Sequence, residues 1–360
     1  MNKIMLFILL NTCLSYSQNT KIIILDKDNN KPIIGMKVLS ENGSLIGNSN
    51  LKGEFEFDAS ILKKSNIKSI MIYDSNYSPV EYKLNEIPTA IYLEKVMFFE
   101  LNPVIIVKKK SVNYFTVKGY VRSWQLVNNK LVKYGDATIE YRMPYQISTN
   151  DFNTGIKNHI TQYRTFKIDS IKEKSKIISI GNDNGYFDIY MARRDLLARG
   201  WKRFKTECKK DSLFTIYENG KDVGYAINNK NETEISVSEN FTGDEAIKML
   251  FWKLSGSYKS IEKWFGNSDT RHLVYSFSSE KIFVETKIKG KYNAIETINE
   301  FFIDDRIIYD DKKPKIYKSN INKDRSFYTT EYWKEEIKKH PLPSAINEQL
   351  INVNENKNTY

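Results

Sequence analysis

Three groups of residues in this chain have types and spacings that can do chemistry. The first is the basic run Arg193-Arg194-Asp195-Leu196-Leu197-Ala198-Arg199-Gly200-Trp201-Lys202-Arg203. Arginine offers a planar fork of donors that matches carboxylate or phosphate. Arg193, Arg194, Arg199, Lys202 and Arg203 are therefore the candidate contacts for an anionic ligand, a lipid headgroup or an acidic partner. The plainer reading is a short amphipathic helix ended by Gly200, with a solvated basic face. The second group is Asp304-Asp305 and Asp310-Asp311, which flank Arg306 and Tyr309. Paired carboxylates bind calcium or do acid–base work, yet around so short a strand they read first as turn residues. The third is Ser60-Ile61-Leu62-Lys63 and Ser65-Asn66-Ile67-Lys68, two Ser-x-x-Lys matches. Their companion motifs are missing, and a lysine-rich chain produces such matches by chance.

Other catalytic signatures are absent. His159, His272 and His340 are scattered, without the His-Glu-x-x-His spacing of a zinc protease. There is no Gly-x-Ser-x-Gly elbow, phosphate loop or dinucleotide fingerprint. Asn48-x-Asn50-x-x-Gly53-Glu54 lacks the repeated acidic ligands of a calcium loop. The expectation is a protein without cofactor, metal or enzymatic activity. The alternative is a hydrolase with a carboxylate-based site in the second half of the chain.

The amino terminus has the three parts of an export signal. Lys3 gives the positive start, residues 4–14 the apolar stretch, and Ser15-Tyr16-Ser17 the small residues of a cleavage site. The apolar stretch is about half of the roughly 20 residues a membrane helix needs, and no later segment reaches that length. Cys13 as a lipidated cysteine fits poorly, because Thr12 stands where Gly, Ala or Ser is required. After signal removal only Cys208 remains, so no internal disulfide forms. The net charge is +11, from 55 Lys and Arg against 44 Asp and Glu. It is mostly Lys and is spread along the chain, unlike the charge stripes of nucleic-acid binders. It favours an anionic surface instead. The expected compartment is the periplasm or the outer membrane, with an envelope protein, glycan or lipid as partner.

The elements that must position any site are mostly strands. Residues 18–96 alternate short apolar runs with turns: residues 20–26, 35–40, 54–57, 67–73, 80–83 and 90–93 read as strands. Asn42-Gly43 marks a hairpin. Turn signals at this frequency indicate an all-β sandwich. Pro32, Ile33, Gly35 and Val38, followed by Gly47, Ser49, Asn50, Gly53 and Phe55, carry a family pattern. With these residues, 18–96 resembles the carboxypeptidase-regulatory-like domain, a transthyretin-like Greek-key β-sandwich. The opening strand lacks the family's usual Gly. The resemblance implies a folding and docking module without protease residues, found beside other domains in envelope proteins of Gram-negative bacteria.

Residues 97–111 read as a linker: a short strand around Val104 and then Lys108-Lys109-Lys110. Residues 112–345 form the second, β-rich domain, and residues 346–360 a tail. The strands expected in the second domain are 114–122, 138–142, 213–217, 223–227, 234–237, 272–277, 282–288, 294–303 and 307–309, the later ones spaced like an antiparallel meander, with Asn219-Gly220 closing a hairpin. One buried helix is expected over 242–256. Thr242 and Glu245 make a capping box, Ile247, Leu250, Phe251 and Leu254 one apolar face, and Gly256 the end. A helix against such a sheet is similar, in element order alone, to the half-barrel of periplasmic lipoprotein carriers. A membrane β-barrel fits less well, since Arg164 falls on one face and Lys167 and Asp169 on the other. Residues 332–337 and 345–353 are short helical candidates. The expectation is thus a mainly β, exported protein that binds or scaffolds.

Overall fold

The computed structural model describes residues 20–96, 114–144, 157–168, 204–210, 212–228, 232–243, 246–248, 252–265, 272–286, 292–309 and 326–357. The protein is mainly β. It divides into two compact units, Met1–Phe98 with Leu342–Gln349, and Phe99–Pro341 with Leu350–Tyr360. The signal segment, the 97–111 linker and the Arg193–Arg203 run lie outside the described residues.

The first unit is a sandwich of two sheets. Its strands are β1 (Thr20–Asp26), β2 (Lys37–Ser40), β3 (Leu45–Asn48), β4 (Glu54–Phe57), β5 (Ser69–Asp74), β6 (Tyr77–Lys83) and β7 (Ala90–Leu93). One sheet runs β4-β1-β7, with β1 antiparallel to β4 and parallel to β7; the other runs β3-β2-β5-β6. Period-two alternation sends Ile22 and Ile24, Phe55 and Phe57, and Ile91 and Leu93 inward from the first sheet. Val38, Ile70 and Ile72 meet them from the second. The turn before β4 is built by Asn50, whose Oδ1 accepts the Lys52 and Glu54 amides at 2.8 and 3.0 Å. Gly53 follows at φ +72°, and a Cβ there would sit 2.8 Å from both Ile24 O and Pro32 Cβ. A helix absent from the expectations, α1 (Ala59–Lys64), is capped by Asp58 and carries the exposed Ser60 of the first Ser-x-x-Lys match.

The second unit is one large antiparallel sheet. It is built from β8 (Tyr114–Val127), β9 (Lys130–Pro144), β10 (Lys157–Lys167), β11 (Phe204–Lys210), β12 (Leu213–Glu218), β13 (Lys221–Asn228), β14 (Glu232–Phe241), β15 (Ile247–Lys248), β16 (Trp252–Phe265), β17 (His272–Thr286) and β18 (Tyr292–Tyr309). The order is β10-β9-β8-β18-β17-β16-β14-β13-β12-β11, with β15 paired on β16. Two helices follow in the chain at the positions expected for helices, α2 (Tyr332–Lys339) in the second unit and α3 (Ser344–Lys357), whose residues up to Gln349 belong to the first.

Three expectations are corrected. Several strands read separately are single long ones: residues 272–277 and 282–286 share β17, and 294–303 and 307–309 share β18. Asp304-Asp305 therefore makes no turn. It lies at a register shift inside β18, between Ile303 and Asp305. The buried helix over 242–256 does not form: Ile247 is on β15, and Leu254 and Gly256 are on β16. Ile247 points to solvent at 55% exposure, while Leu254 packs on Val127, Val132, Val284 and Ile295. The apolar spacing suits a helix, but pairing of β16 with both β14 and β17 outweighs that local preference.

Candidate functional site

Sheet geometry brings four charged residues from distant parts of the chain into one row. Directly opposed residues on neighbouring antiparallel strands share a face. Arg164 of β10 faces Asp136 of β9, which faces Arg122 of β8, which faces Glu300 of β18. Charge thus alternates plus, minus, plus, minus across four strands. All four side chains are at least 96% buried, Arg164 being the most exposed at 4%.

Each charge in the row is answered. Arg164 donates from Nε to Asp136 Oδ1 at 3.0 Å, and from its second arm to Oδ2. Asp136 Oδ2 also accepts from the hydroxyls of Tyr134 at 3.0 Å and Tyr120 at 3.2 Å. Tyr332, on α2, donates to Asp136 Oδ1 at 2.7 Å. Glu300 accepts from Arg122 Nε at 2.7 Å and from Tyr275 at 2.7 Å. The remaining arms of Arg122 reach the carbonyls of His340 and Pro341. The two arginines also lie against rings, Arg164 4.1 Å from the Trp333 centroid and Arg122 5.2 Å from that of Phe302.

The segment from Phe327 to Pro341 closes over this row. Phe327 exchanges backbone bonds with Tyr163 at 2.7 and 2.9 Å. Gln162 Oε1 accepts from the amides of Thr329 and Thr330 at 2.8 and 2.9 Å, which holds the start of α2. At the far end the His340 ring stacks on Phe302 with centroids 3.8 Å apart.

Electrostatics make this row a lock and not a proton-transfer site. Burial first, then the Asp136 charge, pushes the Tyr120, Tyr134 and Tyr332 hydroxyls far above the usual tyrosine range. The Arg164 guanidinium is held above its usual value by Asp136, against the opposing effect of burial. Burial, with Arg122 and Lys339 adding to it, pushes the His340 imidazole down to about 3. His340 is therefore neutral at physiological pH and cannot trade protons there.

Other acids also accept hydrogen bonds. Glu296 accepts from Ser279 at 3.0 Å and pairs with Lys281 at 3.3 Å. Glu262 accepts from Trp264 Nε1 at 3.1 Å. Glu54, in the loop that loosely resembles a calcium site, is bonded to Lys21 at 2.9 Å and Asn50 at 3.1 Å. Among the described residues, no cluster of His, Cys, Asp and Glu could hold a metal ion.

Most of the residues singled out from sequence fall where the structure gives no description. Arg193, Arg194, Arg199, Lys202 and Arg203 lie outside the described residues, as do Asp310 and Asp311. Asp304 is exposed on β18. His159 and His272 fall on β10 and β17, and His340 stacks at the end of the row. Sequence reading missed Arg122, Asp136, Arg164 and Glu300. The available signal was Tyr120-x-Arg122-x-Trp124, a charge on an inward parity between two aromatics.

No family model matches the chain, and no curated protein matches it. A solved structure concerned with lipid–protein interactions in lipovitellin is similar over 57% of this chain and 26% of that one, at 9% identity and a TM-score of 0.29. The chain therefore spans about a quarter of the length of that protein, and a likeness at this level carries no argument.

Proposed function

We propose that the protein is an exported cell-envelope protein that binds or scaffolds without catalysis. The first unit, read as a carboxypeptidase-regulatory-like module, docks. The second contacts a lipid, glycan or protein with its large sheet. The observation that carries this reading is the state of Asp136 and Glu300. A carboxylate hydrolase needs acids with free lone pairs facing a cleft. Asp136 is instead bonded to an arginine and three tyrosines, and Glu300 to Arg122 and Tyr275. Such saturation suits a rigid presenting surface. The periplasmic or outer-membrane address rests on the signal segment alone.

Native mass spectrometry of the protein purified from its own envelope tests the reading. A lipid, glycan or envelope protein carried at fixed stoichiometry is the expected result. A bare chain that hydrolyses ester, glycoside or peptide probes would overturn it in favour of the carboxylate hydrolase.

A further inference from the structure

The same face of the large sheet carries more charge beyond the buried row. Lys263 of β16 stands opposite Glu234 of β14 and pairs with it at 3.8 Å. Lys281 of β17 stands opposite Glu296 of β18 and pairs with it at 3.3 Å. Lys253 stands opposite Glu285. Lys259 breaks this pattern. Its direct neighbours are two serines, Ser238 on β14 and Ser279 on β17.

Lys259 is half-buried and has no hydrogen bond or ion pair among the described residues. Burial pushes its amine down to about 8, with Glu234 pulling it partway back. Glu234 is itself engaged by Lys263 and by the Tyr225 hydroxyl at 2.9 Å. Two residues from Ser238, on the same face of β14, Ser236 is fully buried and its Oγ has no hydrogen-bond partner among the described residues. A desolvated ammonium and an unanswered buried hydroxyl both cost free energy that an anionic oxygen would recover.

We propose that Lys259, with Ser236 and Ser238 beside it on β14, is the anion-holding point of the large sheet, taking a carboxylate or phosphate oxygen of the ligand. This rests on the binding reading above and narrows it to ligands with an anionic headgroup. Lys281 lies diagonally across on β17 and Lys263 four residues along β16, and both add positive potential, which Glu296 and Glu234 temper. The anion has two possible sources, a lipid headgroup or a free small ion, with the same chemistry at Lys259.

The test uses the full mature chain with ¹³C-methylated lysines, followed by NMR. Loss of a resonance in Lys259→Arg assigns the signal. Two probes are titrated, inorganic phosphate and monomeric dihexanoyl phosphatidic acid. An engaged anion should raise the Lys259 pKa by about one unit or more. Lys259→Met should weaken binding about tenfold or more, and Lys259→Arg should retain most of it. A response to both probes assigns a free-anion site, and a response to the lipid alone a headgroup site. No movement of the Lys259 resonance with either probe, or unchanged binding by Lys259→Met, overturns the proposal. If a native ligand co-purifies equally with wild type and Lys259→Met, the binding reading stands and the Lys259 assignment fails. If nothing co-purifies yet phosphate titrates Lys259, the reverse holds.

Discussion

Arg122 donates from Nε to Glu300 Oε2 at 2.7 Å across 178 positions of sequence. The bond joins β8 to β18, so strands from opposite ends of the large sheet's sequence lie side by side. Both side chains are at least 99% buried, so the pair cannot be answered by water if one partner is lost. Such a pair specifies a register more than it adds net stability, because its Coulomb gain is set against two desolvation costs.

Removing one partner should therefore be severe and removing both milder. Glu300→Leu or Arg122→Met should each destabilise the second unit by about 3–5 kcal/mol, as an uncompensated buried charge does. The double substitution Arg122→Met with Glu300→Leu should cost clearly less than the sum. Urea unfolding of the four proteins measures this, and additive losses would show that the two side chains are not coupled.

Tyr332 tests the hold on α2. Tyr332→Phe keeps the ring and removes the donor to Asp136, leaving a buried carboxylate oxygen short of a partner. A loss of about 1–3 kcal/mol is expected. Hydrogen exchange should rise first at the α2 amides. Unchanged exchange there would mean that packing of Trp333 on Arg164 suffices to hold the helix.

His340 makes stability depend on pH with a defined sign. Its folded pKa, about 3, lies below the unfolded value. The unfolded chain therefore takes up a proton near pH 6.5 that the folded chain refuses until about pH 3. Stability from this group is full above pH 6.5 and is lost as pH falls, by roughly 1.4 kcal/mol per unit within that window. His340→Phe keeps a ring on Phe302 and cannot titrate. Its thermal unfolding midpoint should fall less steeply than wild type between pH 6.5 and 4, and parallel curves would refute the assignment.

In the first unit the sensitive point is the turn before β4. Gly53→Ala must hold a side chain at φ +72° and place Cβ against the Ile24 carbonyl. A loss of about 1–3 kcal/mol is expected. Asn50→Ala, which removes acceptors for two turn amides, should cost about 1–2 kcal/mol. Circular dichroism melts of the full chain would show both, and a neutral Gly53→Ala would mean that the turn relaxes.

Much of the first unit was legible because its rules are local. Residues 54–57 and 90–93 were read as strands from alternation and apolar content alone, and they are β4 and β7. Asn219-Gly220 was read as a hairpin, and both residues have positive φ, 51° and 78°. The helix α1 was missed, since its signal is one Asp58 cap over a single inward residue, Leu62. The basic run at 193–203 lies outside the described residues, so the candidate site rests on other side chains.

By itself the sequence determined the strand-rich character of both units, the turns at Asn50–Gly53 and Asn219–Gly220, and the two helices near the carboxyl terminus. Each depends on interactions spanning a few residues, which propensity and periodicity record. Only the tertiary structure decided which strands continue, where Ile247 and Leu254 go, and which charges meet. It also decided that Leu342–Gln349 belongs with the first unit, where Ala345 N donates to Glu41 O at 3.2 Å and Ser344 Oγ to Glu81 at 2.8 Å. The physical reason is common to all of these. Strand pairing satisfies backbone groups with partners from elsewhere in the chain, and one apolar spacing serves a helix or a strand equally well. Arg164, Asp136, Arg122 and Glu300 are scattered in sequence, and only the register of four strands places them in one row.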